Sequence, residues 1–125
     1  MILSRIFVHI FHILIVGSLF LYVGINGIKT PAFVFPLLMY LGIVIIIYHS
    51  YKVYKRLILD KSAWFNYIHI FLIGPLLITI GLNGVNTSRK YFELLLMSGM
   101  ASIGYHGYYL ILIFNKLKKI YCVRI

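Results

Sequence analysis

Five histidines stand in a chain with only two acids and one cysteine, so any chemistry here falls to imidazole. Four of them form two pairs 57 positions apart, His12 with His69 and His49 with His106. Neutral imidazole ligates haem iron and Zn, Cu or Fe without burying a charge, and it can pass protons. His9 has Asn66 at the matching position and reads as peripheral. No Ser-His-Asp set, carboxylate pair, phosphate loop or HExxH sequence is present. With two acids in the whole chain, catalysis without a cofactor has almost nothing for general acid/base work. The single Cys122 excludes an internal disulfide and a CxxC redox pair. Its neighbours Lys116, Lys118, Lys119 and Arg124 make it compatible with palmitoylation, an idle thiol being the plainer reading.

The elements that carry these rings are apolar. Of the residues 62% are hydrophobic and 11% charged, against roughly 25% charged in a soluble domain, and mean hydropathy is +0.99. A hydrocarbon core of ~30 Å needs about 20 apolar residues per helix. Four such runs occur, near 6–26, 33–54, 65–83 and 91–114. The expectation is an all-α membrane protein of four transmembrane helices with no soluble domain. Arg5 ahead of the first run imitates a secretory signal, but no small-x-small cleavage site follows, and the run matches the third one.

That match extends through half the chain. Residues 12–54 laid over 69–111 give 16 identities without a gap, including Gly17/Gly74, Gly24/Gly81, Asn26/Asn83, Gly42/Gly99 and Tyr48-His49/Tyr105-His106. Each copy is a helical hairpin: 1–58 and 64–125, joined by a polar link at 59–63. A copy that crosses twice returns to its starting side, so the expectation is two tandem parallel repeats with pseudo-twofold symmetry about the membrane normal. Asn26-Gly27 with Thr30-Pro31 and Asn83-Gly84 with Thr87-Ser88 mark the outer turns, each leading into the next helix through a Thr or Ser able to cap it.

Identical positions recur at spacing seven, which keeps them on one helical stripe. His12, Leu19 and Asn26 match His69, Leu76 and Asn83; Phe35, Gly42 and His49 match Phe92, Gly99 and His106. Counted from the outer turns, His12 and His49 lie ~21 and ~24 Å along their helices. Four imidazoles thus form one interior layer in the cytoplasmic half, with Tyr48 and Tyr105 beside it. Gly42 or Gly99, two turns away, would leave room for a flat ring, and the Gly17/Gly24 and Gly74/Gly81 stripes would let backbones approach.

Basic residues set the orientation. Arg5, then Lys52, Lys55, Arg56 and Lys61, then Lys116, Lys118, Lys119 and Arg124 lie on one side, against Lys29, Arg89 and Lys90 on the other. Both termini then face the cytoplasm. The partners expected are the lipid bilayer and anionic headgroups on the cytoplasmic side; no basic soluble face exists to bind nucleic acid. A homo-oligomer is neither required nor excluded.

Lesser features fit the same plan. Glu93 pairs with Arg89 at i−4 as a helix-end ion pair, which removes the one intraspan acid from any coupling role. Gly74-Pro75 marks a kink or local weakening of the third helix, where the first copy has Ser18. Pro36 falls in the first turn of the second helix, and Trp64 reads as interfacial.

Three functions remain open for the layer: a site for haem b or a transition metal (His12, His49, His69, His106, supported by Tyr48, Tyr105, Gly42, Gly99, Asn26 and Asn83), a proton path, or hydrogen-bonded glue in a structural membrane protein. The segment HIFLIGPLLITIGLNGVNTSRKYFELLLMSGMASIGYHGYYLI, with IGPLLxxIGxN followed by YHGYY, resembles small four-helix membrane proteins encoded by large double-stranded DNA viruses of algae and protists. The resemblance implies a host or virion membrane and assigns no activity. The first copy departs from the pattern at Ser18 and Ser50-Tyr51-Lys52.

Overall fold

The apolar runs propagate as helix through their interior glycines and Pro75, and an Asn-Gly pair or a polar link stops them. A computed structural model describes residues 1–123. Helix α1 spans Ile2–Lys29, α2 Val34–Ile58 and α3 Trp64–Asn86, and these three are long and apolar enough to cross a membrane. Helix α4 spans Arg89–Val123, about 52 Å at 1.5 Å per residue. Ser98, Gly99, Ser102, Gly104, His106 and Gly107 make it less apolar than the others. The helices run past the apolar segments read from sequence, chiefly at the ends that carry basic residues. Arg124 lies outside the described residues.

Both outer turns close on a glycine with positive φ, Gly27 at 54° and Gly84 at 53°, a conformation that a Cβ disfavours. A short 3-10 turn follows each. The expected threonine caps are absent at the second helix: α2 starts at Phe33 with no side-chain cap. Thr30 and Thr87 are instead buried. Thr87 Oγ1 donates back to the Ile80 carbonyl at 3.3 Å, while Thr30 Oγ1 has no hydrogen-bond partner.

Pairing in the bundle is crosswise. α1 packs against α4, and α2 against α3, so each helix lies mainly on a helix of the other hairpin rather than on its own hairpin neighbour. Glycines set these contacts. A Cβ on Gly24 would fall 2.8 Å from the Leu96 backbone, and one on Gly81 2.5 Å from the Met39 nitrogen; Leu96 and Met39 are themselves 57 apart. Gly42 lies against Gly74 and Ile78, Gly99 against Phe20, Leu21 and Gly17. Close backbone approach of this kind is what binds helices in lipid, where apolar burial alone gives no drive.

The dry core sits toward the outer turns. Phe20, Val23, Phe35 and Leu38 are buried together with Leu77, Ile80, Phe92 and Leu95, which are the same four positions shifted by 57. From that plug the helices continue toward the termini with looser packing, and there the histidines are found.

Both odd helices widen at the same place. α1 contains a π-helical stretch at His12–Gly17, and α3 one at His69–Ile73. Proline was the expected cause in α3, yet α1 widens equally with Ser18 in place of Pro75, so proline alone does not produce it. In both helices the wide turn begins on the duplicated histidine. Such π turns often mark functional positions in helices.

Candidate functional site

The histidine that opens each wide turn folds back on the preceding turn of its own helix. His12 Nδ1 lies 2.8 Å from the Val8 carbonyl, and His69 Nδ1 2.7 Å from the Phe65 carbonyl. A carbonyl only accepts, so Nδ1 carries the proton in both rings and Nε2 holds the free lone pair. His49 reaches the same state differently, its Nδ1 donating to Asn66 Oδ1 at 2.9 Å. Three imidazoles thereby present Nε2 as an acceptor or ligand. Metal-binding histidines are commonly oriented in this way, through a hydrogen bond on the other nitrogen.

The rings gather at one level in two stacks. His49 lies over His69 with centroids 4.1 Å apart, and His12 over His106 at 4.2 Å. Each stack joins the two helices of one packed pair, α2 with α3 and α1 with α4. The four histidines expected to form a layer do come together. Tyr48 and Tyr105 meet the rings of their sequence neighbours His49 and His106 edge-on, both at 5.2 Å.

His9 is not peripheral. Its Nδ1 lies 2.8 Å from His106 Nδ1, and its ring stacks near Tyr109 at 6.2 Å. Asn66, at the matching position, makes the equivalent bond to His49. The difference between His9 and Asn66 hid a shared role. The signal that would have found it is spacing, since both residues lie three positions before the duplicated histidine and so share its face.

Two groups of expected supporting residues fall elsewhere. Gly42 and Gly99 leave no room for a flat ring, because the space beside them is filled by the neighbouring helix: a Cβ on Gly42 would meet the Gly74 carbonyl at 2.7 Å, and one on Gly99 Phe20 Cβ at 3.0 Å. Asn26 and Asn83 end α-helical stretches at the outer turns, and Asn26 bonds the Tyr22 carbonyl within its own helix. Neither is near the layer, since heptad spacing records a shared stripe and not a shared depth.

Room for a ligand lies beneath the imidazoles instead. A cavity of about 320 Å³ is lined by His12, His49 and His69 among apolar side chains, with Tyr48, Ser98 and Ser102 as its other polar groups. This is at the lower end of the range for small-molecule sites, roughly 300–1,000 Å³. Phe11 and Ile15 of α1 and Val44 and Tyr48 of α2 line it while remaining exposed. It therefore opens sideways through the gap between α1 and α2, the hairpin neighbours that make little contact.

Among the described residues, no group of three or more His, Cys, Asp or Glu is arranged to hold a metal ion. The Arg89–Glu93 pair forms as expected, at 2.7 Å on the surface, and Cys122 is an exposed thiol. No protein-family model, curated protein or solved structure matches the chain. The functional reading therefore rests on the geometry of this layer.

Proposed function

We propose that the chain is an integral membrane bundle of four spans, two parallel hairpins related by a pseudo-twofold axis along the membrane normal, that holds haem b in its imidazole layer. The reading places both termini in the cytoplasm beside anionic headgroups, with 91–114 of α4 as the fourth span and the basic end of that helix projecting beyond it. The 57-residue correspondence of glycine contacts, core residues and π turns supports the axis.

One observation carries the haem reading: three imidazoles around a single apolar cavity keep Nε2 free because Nδ1 is already bonded. A bare Zn, Cu or Fe ion asks for three or four convergent protein ligands, and among the described residues no such group is arranged to hold one. Haem iron already has four pyrrole nitrogens and asks for two axial ones. The residues that would hold the iron are taken one from each stack, because the two rings of a stack already lie face to face against each other. His12 is the cavity-lining member of the first. His49, across the α1/α2 opening, is assigned as the second, with His69 backing it.

The test is reconstitution of purified protein with haem b followed by a spectrum in both redox states. A Soret band that sharpens on reduction, of the low-spin type, supports the assignment. Stacked rings that already have partners also suit a purely structural layer that locks α1 to α4 and α2 to α3. A protein that stays colourless with excess haem, and that loses thermal stability when a stack is broken, speaks for that second reading.

A further inference from the structure

Two cations stand on the same helices as the cavity's imidazoles, beyond its lining. On α2 the lining residues Leu41, Ile45, Tyr48 and His49 stand at i, i+4, i+7 and i+8, and Lys52 at i+11 is the next residue on that stripe. Its Nζ lies 5.5 Å from the centre of the Tyr48 ring, which holds the ammonium at the cavity rim. On α1 His12 lines the cavity, and Arg5, seven residues earlier along regular α-helix, shares its stripe. Along the helices Lys52 is ~4.5 Å beyond His49 and Arg5 ~10.5 Å beyond His12.

Neither cation is neutralised. Among the described residues the ion pair between Arg89 and Glu93 is the one salt bridge, and it lies at the outer end of α4. The matching positions of the second hairpin hold Ser62 and Tyr109, so the two cations occur only on the side where the cavity opens. Inside, the cavity has imidazole, hydroxyl, phenyl and aliphatic groups but no charged side chain. A complementary ligand has an apolar body, a Lewis-acid centre or hydrogen-bond donor at the level of the imidazoles, and an anionic end.

Resting on the reading of this cavity as a ligand site, we infer that its ligand carries a carboxylate, seated between Lys52 and Arg5 at the α1/α2 opening while the apolar body lies against the imidazoles. In haem b the propionates would take that place; a long-chain fatty acid has the same chemistry without the iron. Loading then proceeds sideways from the bilayer, because the opening is bounded by Phe11, Ile15, Val44 and Tyr48.

The experiment uses the full chain in nanodiscs of neutral phosphatidylcholine, with empty nanodiscs as background, titrated with haem b, with its dimethyl ester and with a fluorescent long-chain fatty acid. The variant is Arg5→Met/Lys52→Met, in which both side chains are exposed and each keeps an apolar stem. Wild type is expected to bind haem b roughly tenfold more tightly than the ester, and the variant to bind both alike, since each cation is worth several-fold toward an anion at the interface. Equal binding of acid and ester by wild type overturns the inference and leaves the haem reading standing. Saturable fatty-acid binding that the variant loses, with no Soret shift from either haem, supports the inference and removes haem. Absence of binding by all three probes overturns both.

Discussion

Asn66 accepts a hydrogen bond from His49 Nδ1 at 2.9 Å, and 57 residues earlier His9 meets His106 at 2.8 Å. Two different residue types thus hold the same ring in the same way. The exchange His9→Asn is expected to leave stability unchanged, because Asn Oδ1 can accept from His106 as Asn66 does from His49. Asn66→Leu should cost about 0.6 kcal/mol and at most about 1.7, the range for a hydrogen bond between membrane helices. Thermal unfolding in a single detergent checks both; a larger loss for His9→Asn than for Asn66→Leu would show that the two positions are not equivalent.

The stacks divide the histidines by role. His12→Ala and His49→Ala are each expected to abolish the low-spin haem spectrum, whereas His69→Ala, which removes the ring behind His49, should retain it with weaker binding. His106→Ala should behave like His69→Ala, since it backs His12. A His69→Ala protein without a Soret band, beside a His49→Ala protein that keeps it, would reassign the second axial ligand.

Gly24 and Gly81 are contact points against backbone, not merely small residues. Gly81→Ala places a methyl 2.5 Å from the Met39 nitrogen and 2.6 Å from the Phe35 carbonyl, so α2 and α3 must separate. Overpacking of this kind costs about 1–3 kcal/mol. Gly104→Ala is the control, because nothing lies within 4 Å of the added carbon and alanine is the better helix former by roughly 1 kcal/mol. Guanidinium or SDS titration of the three proteins should rank Gly104→Ala as most stable and Gly81→Ala as least.

Thr30 and Thr87 occupy equivalent buried places with unequal satisfaction. Thr30 Oγ1 lacks a partner, so Thr30→Val removes an unmet polar group and should stabilise by about 1 kcal/mol. Thr87→Val instead breaks the 3.3 Å bond to the Ile80 carbonyl and should be neutral to slightly destabilising. Equal effects from the two substitutions would count against the asymmetry seen here.

Composition, hydropathy and the 57-residue repeat determined the helical class, the places of the turns and the level of the imidazoles. These are properties of single segments: an apolar run of bilayer length forms helix wherever it lies, Asn-Gly ends it, and rise per residue converts spacing into depth. Gly27 and Gly84 close the turns where the Asn-Gly pairs stand, and His12, His49, His69 and His106 meet at one level. What only the tertiary structure decided is which helices face each other. Crosswise pairing brings Gly42 and Gly99 against neighbouring helices and not against a ligand, gives His9 a partner in His106, and leaves the opening between α1 and α2. Pairing follows from which glycine surfaces interlock, a relation between distant segments that periodicity within one segment does not contain.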